Sequence, residues 1–434
     1  MARVAEGLDS PVSDTAEIVV PTVTSRPRTG TVVAYLIMMF TINLAAMTPA
    51  LMGLALKIQI VEPRDKEGAL GAVVAIGSVV GIAAGPVAAL LSDRCRLGWG
   101  RRRPFIVVGV AFSALGAGLM IPATSVAMVG AGWGVASVGA ACAGAGIGPF
   151  VAEVVPPDQR GRVAALAGMA VQLAGVAAAL TGALLASKVV LLFGVPVAVL
   201  AVGSLVYLVA VPDGVVARRS SSPPRPSQRS QMEQILFGPN LSRFAWLLAG
   251  KFFMQLAVGF FTTYQLYFVL DRFGMDPAQA AHQMAVLAVV GIAVAAASAF
   301  AAGAVSDRLG RRQPMIYLGG STVAAGMVGI ALSHSLLSYG VAVMAMLGGI
   351  GTFSATDLAL AAELIPDGSV NVGGYMAMYA IAGGMATSVA PLLAPMILRT
   401  ATDGAGYTTL FLVASVSAAL TIPTIRMTGR RSGR

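Results

Sequence analysis

Charge is what this chain has least of. Asp, Glu, Lys and Arg make up 11% of its 434 residues, against the roughly 25% usual in a soluble globular domain, while 57% are hydrophobic and mean hydropathy is +0.81. That balance excludes a water-soluble globule. Cysteine is nearly absent as well: Cys95 falls in a predicted loop and Cys142 inside an apolar segment, which gives neither a disulfide framework nor thiolate metal spacing. His282 and His334 are equally isolated. No nucleophile–base pair, metal cluster or phosphate-cradling glycine loop appears, so neither an enzyme nor an ATP-driven pump is expected, and no cofactor is implied. Residues 1–27 carry Pro, Ser, Thr and acids without the basic-then-apolar pattern of a signal peptide, and read as a disordered cytoplasmic tail.

What the chain does have is apolar runs. About 12 are long enough to cross a hydrocarbon core of about 30 Å, six on each side of a break. The fold class expected is therefore all-α and membrane-embedded, with twelve transmembrane helices and both termini on one face. The break, 212–240, contains Arg218, Arg219, Ser220, Ser221, Ser222, Pro223 and Pro224 and reads as a cytoplasmic linker. It divides a first six-helix bundle at 28–211 from a second at 241–426, leaving 427–434 as a short cytoplasmic tail.

The net charge of +10 could point to nucleic acid, but the placement of the positive residues decides against it. Of 29 Lys and Arg, 22 fall on one face of the predicted topology, 6 on the other, and Lys251 inside a helix. Basic residues beside helix ends, with no interleaved aromatics, are the positive-inside pattern of a multi-pass protein of the cytoplasmic membrane. The partner implied is a lipid bilayer rather than a nucleic acid.

A loop pattern occurs twice. Ser92-Asp93-Arg94 opens a stretch that closes on Arg101-Arg102-Arg103-Pro104, and Ser306-Asp307-Arg308-Leu309-Gly310-Arg311-Arg312-Gln313-Pro314 repeats it with four residues fewer. Downstream, Ala152-Glu153-Val154-Val155-Pro156 and Ala362-Glu363-Leu364-Ile365-Pro366 stand 210 residues apart, the offset of the closing prolines. Two halves thus share one plan, as in transporters that work by alternating access around a site between repeats. Within the pattern, Asp93 and Asp307 can pair with arginine or cap a helix. Arg94, Arg102, Arg308 and Arg312 can reach Glu153 or Glu363, and with Arg103 and Arg311 they make up a latch that biases one conformation. Gly77, Gly81 and Gly85 on helix 2, matched by Gly291, Ala295 and Ala299 on helix 8, form smooth faces that suit either a sliding contact between halves or ordinary tight packing.

Lys251 and Asp357 are the ionisable groups clearly inside apolar segments. A charge at mid-bilayer costs about 2.5–3.5 kcal/mol even on insertion scales, so each needs a partner or a wet cavity. Lys251 lies about 12 Å into helix 7 from Arg243, and Asp357 about 9 Å from Glu363 on a helix of opposite direction, at 1.5 Å per residue. Their depths match, so a cavity-lining pair with Asp357 as the proton-coupling carboxylate is expected, with a purely structural ion pair as the alternative.

The second loop matches in full, from Gly303 to Arg312, the Gly-x-x-x-Asp-Arg-x-Gly-Arg-Arg signature of the major facilitator superfamily, which the chain resembles. The first copy, with Ala89 at the glycine position and Arg101-Arg102-Arg103-Pro104-Phe105-Ile106 at its end, is similar to the version in sucrose–proton symporters and their glycoside–pentoside–hexuronide-related bacterial relatives. Thr48-Pro49 and Thr262-Thr263-Tyr264-Gln265-Leu266-Tyr267 share that likeness. The resemblance implies two pseudo-symmetric six-helix bundles with helices 1, 4, 7 and 10 lining a central cavity, a small-molecule substrate, and a functional monomer. One departure is plain: sucrose symporters place an arginine and an acid within helix 4, where this chain has no charge between Gly130 and Glu153.

On those helices the candidate substrate contacts are Asn43, Thr48, Trp133, Gln255, Thr263, Tyr264, Gln265, Thr352 and Thr356, with Ser137, Thr262 and Ser354 beside them. Amides, hydroxyls and an aromatic face suit a polyhydroxylated solute, though the same groups serve as interhelical hydrogen-bond partners. The first functional expectation is proton-coupled uptake of a sugar or similar polar solute. The second is proton-antiport export of a hydrophobic compound, although the helix 5 Gly-Pro-x-x-Gly-Gly signature of such exporters is missing. The third is a membrane sensor that does not transport, against which the duplicated latch residues speak.

Overall fold

The structure, a computed structural model, describes residues 29–95, 100–211, 241–364, 372–400 and 406–428. Twelve helices long and apolar enough to cross a membrane account for nearly all of them, and no strand occurs among the described residues. The first half comprises α1 (Thr29–Val61), α2 (Lys66–Arg94), α3 (Arg103–Met120), α4 (Val126–Ile147), α5 (Pro157–Leu185) and α6 (Val189–Ala210). The second comprises α7 (Leu241–Phe273), α8 (Pro277–Leu309), α9 (Gln313–Ala331), α10 (Leu336–Leu364), α11 (Val372–Thr400) and α12 (Gly406–Thr428). The expected tail at 1–27, the linker at 212–240 and residues 429–434 lie outside the described residues.

Local chemistry sets several boundaries. Pro49 has no N–H to donate, and the turn Pro49–Gly53 is π-helical, with the Leu54 N–H reaching back to the Pro49 carbonyl. At the start of α8, Asp276 Oδ1 accepts from the N–H groups of Ala278 and Gln279, both at 2.9 Å, ahead of Pro277 in the first turn. The same helix ends on Gly310 at φ +60°, a left-handed conformation that glycine adopts without Cβ strain. Asp307 therefore caps no helix N-terminus; the N-cap positions before α3 and α9 are Arg102 and Arg312.

The first helix continues past Lys57 to Val61, which places Lys57 inside the span, 8% exposed, with its ammonium donating to the Ile121 carbonyl at 2.8 Å. That carbonyl sits at the C-terminus of α3, the negative end of a helix dipole, so the buried cation has a partner that no acid in the sequence announces.

The duplication is visible in the packing. In each half the third and fourth helices pack together, as do the second and fourth, the first and fifth, the first and sixth, and the third and sixth. Between halves α2 packs on α11 and α5 on α8, two contacts that exchange under the pseudo-twofold. Glycines mark the closest approaches at one offset. Gly109, Gly116 and Gly139 join α3 to α4, and Gly319, Gly326 and Gly349, each 210 residues later, join α9 to α10. The Gly77 and Gly81 face of α2, by contrast, meets Trp133 and Ser137 of α4, while Gly291 meets Leu347 and Gly351 meets Ala295. Gly77 and Gly291 therefore pack tightly against the fourth helix of their own half. The glycine at the seam is Gly71, against Tyr264, Pro391 and Pro395.

A methyl group on Gly349 would lie 2.8 Å from the Val323 nitrogen and 2.9 Å from the Gly319 oxygen, whereas one on Gly118 would meet open space. Alanine gains about 0.5–1 kcal/mol over glycine in a helix, but overpacking costs about 1–3 kcal/mol. Gly349→Ala should lower the melting temperature of the detergent-purified protein and Gly118→Ala should not. Equal melting temperatures would sink the close-packing account.

Candidate functional site

Within the second half, α7 carries Lys251, α10 carries Asp357 and α11 carries Tyr379. The Lys251 ammonium lies 3.4 Å from Asp357 Oδ2, and the Tyr379 hydroxyl donates to the same oxygen. Asp357 has no exposed surface, and its Oδ1 is buried without a hydrogen-bond partner among the described residues. Lys251 also sits 4.7 Å from the Tyr379 ring centre and 5.7 Å from that of Phe353, so its charge faces two aromatic rings as well as the carboxylate. The matched helix depths of Lys251 and Asp357 were legible in sequence; Tyr379 was not, because it lies on a helix outside the expected cavity set. Gly383, one turn along α11, leaves room for the stems of Lys251 and Gln255, whose carbons would lie 3.6 and 3.5 Å from a Cβ there.

The arginine loops build a matching cluster in each half. Arg102 donates from Nη2 to Glu153 at 2.8 Å and from Nη1 to Ser92 at 3.0 Å. Arg312 donates from Nε to Glu363 at 2.9 Å and from Nη1 to Ser306 at 3.2 Å and to Asp307. Arg103 reaches the carbonyls of Leu208 and Val211 at 3.0 and 3.1 Å, tying α3 to the end of α6. Arg94, Arg308 and Arg311 are exposed, and the Asp93 side chain lies outside the described residues. Each described ion pair of this motif joins elements of one half. The motif can thus clamp α2 or α8 against the neighbouring helix ends, each ion pair described staying within its half. Glu153 sits on a short helix, Phe150–Val154, set off from α4 instead of continuing it.

The polar contacts that do bridge the halves lie at the opposite face. Lys66 pairs with Asp271 at 2.7 Å and Arg399 with Asp65 at 2.8 Å. The Tyr407 hydroxyl lies 2.9 Å from Glu67 Oε1 and 3.1 Å from Asp271 Oδ2, Tyr264 donates to the Glu67 carbonyl at 3.2 Å, and Tyr267 to the Ala55 carbonyl at 2.8 Å. This seam could not be read from the sequence because the partners that join across it are 197 to 340 residues apart and fall outside the repeated motif. It joins the two halves at the face opposite the arginine loops.

The seam also reassigns one candidate. Tyr264, expected to meet substrate, is fully buried with its hydroxyl against the Glu67 and Pro391 carbonyls. Asn43, Thr48, Thr352 and Thr356 donate to carbonyls of their own helices. Trp133, Gln255, Thr263 and Gln265 remain half-buried on α4 and α7. Trp133 lines a cavity of about 370 Å³ in the first half, bounded by α1, α2, α3, α4 and α6, with Gly81, Ser113, Ser137 and Phe193 among its walls.

Residues 29–370 match the family model described as Major Facilitator Superfamily. The chain belongs to that superfamily. A comparison with curated protein sequences gave no match. Among solved structures, the fold is similar to that of a bacterial homolog of the human lysosomal transporter Spinster in an inward-facing, unoccupied conformation, at 17% identity and TM-score 0.69, covering 92% of this chain and 94% of that one. It is also similar to a D-xylose–proton symporter, at 14% identity and TM-score 0.71 over 92% and 98% of the two chains, and to a nucleoside transporter, at 10% and 0.72 over 92% and 100%. At these identities the likeness is one of fold. The superfamily membership makes this a multi-pass membrane protein of the transporter class, and points away from an enzyme.

If the seam holds this face shut, removing Asp271 and Tyr407 as partners should open it. Spin labels at Ile60 and Ala278, both exposed at that face, would report the change in a background of Cys95→Ser and Cys142→Ala. Asp271→Asn combined with Tyr407→Phe should shift the distance distribution to longer values. An unchanged distribution would show that apolar packing alone closes the face.

Proposed function

We propose that the protein is a proton-coupled secondary transporter that moves a small organic solute by alternating access. It acts in the cytoplasmic membrane as a functional monomer, with the arginine loops, both tails and the linker in the cytoplasm by the positive-inside rule. The observation that carries this reading is the Asp357 carboxylate, fully buried within α10, with Lys251 and Tyr379 at one oxygen and, among the described residues, no donor at the other. Oδ1 is the atom open to a proton. Protonation removes the negative charge that compensates Lys251, and an uncompensated buried cation favours whichever conformation opens it to water. The proton thereby shifts the conformational balance of α7, α10 and α11.

The clamps formed in both halves speak against a static sensor, which has no use for duplicated ion pairs at helix ends. Sugar uptake, implied by the likeness to sucrose symporters, calls for many convergent amides and hydroxyls. Five of the nine candidate groups already donate to backbone carbonyls, which weakens that support. Export of an apolar compound by antiport is favoured by a different observation, the apolar cavity beside Trp133.

Purified protein in liposomes loaded with a pH dye tests the coupling. Under an imposed solute gradient, panels of sugars and of uncharged aromatic compounds should reveal solute-dependent proton movement, and Asp357→Asn should reduce it at least tenfold. Undiminished proton movement in the variant would leave Asp357 a structural residue only.

A further inference from the structure

The cavity in the first half has a chemical character that the coupling site does not share. Its volume of about 370 Å³ falls at the lower end of small-molecule pockets, roughly 300–1,000 Å³. No charged side chain lines it. Gly81 and Gly85 form one wall from α2, with the Trp133 indole seated over Gly77, and alanines of α1 and α4 continue it, so a large part of the lining is flat and without polar side-chain atoms. Trp133 supplies aromatic surface, and the fully buried Phe193 backs the wall. The side-chain polar groups are the indole N–H of Trp133 and the hydroxyls of Ser78, Ser113 and Ser137, and Ser137 already donates to the Trp133 carbonyl at 2.9 Å.

We propose that this cavity is the solute site and that it takes an uncharged, largely apolar, ring-bearing compound carrying few polar groups. The proposal deepens the transporter reading given above and rests on it. The physical reason lies in hydrogen-bond satisfaction. A sugar brought into this space would lose water from many hydroxyls and find few partners, each unmatched group adding a desolvation penalty. An aromatic or fused-ring compound instead lies flat on the glycine wall, covers the accessible face of Trp133, and can accept one hydrogen bond from the indole N–H. The glycines have a specific part in this. A side chain on Gly77 would collide with the indole of Trp133, so that glycine sets the ring's position. A Cβ on Gly85 would meet nothing within 4 Å, and one on Gly81 only Ser137 at 3.8 Å, so at these two positions the space is empty and open to a ligand.

That emptiness supplies the test. Leucine at position 85 or 81 should fill the cavity without disturbing its walls. The probe is N-phenyl-1-naphthylamine, an uncharged aromatic dye, titrated into wild-type protein in lipid nanodiscs. Energy transfer from tryptophan is the readout, with empty nanodiscs as background. Saturable binding is expected, weakened at least tenfold by Gly85→Leu and by Gly81→Leu in proteins whose melting temperatures match the wild type. A large excess of sucrose should not displace the dye. The proposal is overturned by absence of saturable binding above the nanodisc background, by unchanged affinity in both leucine variants, or by displacement with sucrose. Equilibrium binding needs no proton gradient, so the site and the coupling scheme fail separately: dye binding that survives in a protein without proton movement would remove only the coupling.

Discussion

Inside a bilayer there is no water to take up a hydrogen bond, and most of this structure follows from that constraint. The backbone answers it by remaining helical across every span, with a π-helical turn where Pro49 removes one donor. Side chains answer it locally: Thr41, Thr48, Thr181, Thr352 and Thr356 return their hydroxyl protons to carbonyls three or four residues back in their own helices. Charges answer it at long range. Lys57 finds the carbonyl end of α3, and Lys251 finds Asp357 and two aromatic rings.

Between helices, hydrogen bonds such as Ser415 to the Ala324 carbonyl and Ser417 to the Phe253 carbonyl act beside close packing. The glycine series on α3, α4, α9 and α10 lets backbones approach to a distance that any side chain would prevent, at equivalent places in both halves. These pairs make each half a firm body. The contact between halves differs in kind: at the face opposite the arginine loops it combines ion pairs with tyrosine hydroxyls around Glu67 and Asp271, groups that water can solvate when the seam parts. Rigid halves with a polar, separable seam are the mechanical requirement of alternating access.

The two halves have the same framework but different contents. At the 210-residue offset, Trp133 of the first half corresponds to Val343 of the second, and Asp357 of the second corresponds to Ile147 of the first. The large aromatic ring and the buried acid thus each occur once. An apolar cavity lies in one half and a buried ion pair in the other; under the proposed function, the motion of one half against the other is what would connect them.

Helix number, the duplication and the arginine–glutamate partners were legible in the sequence, because hydropathy and a 210-residue offset are properties of the chain order itself. So was the match of Lys251 with Asp357, since helix rise converts residue number into depth. Tyr379 was hidden because rotation of α11 about its axis, not its depth, brings the hydroxyl to Asp357. The seam was hidden because Lys66, Asp271, Arg399 and Tyr407 are distant in sequence and meet only when four helix ends converge. Whether Gly77, Gly81 and Gly85 face the other half or their own was likewise open, because a stripe of small residues states that something comes close without stating what. Composition and periodicity therefore determined a duplicated bundle of membrane-spanning helices with a few compelled charges. Which side chains meet, and which space they leave empty, was decided by helix rotation and packing, which depend on contacts among residues hundreds of positions apart.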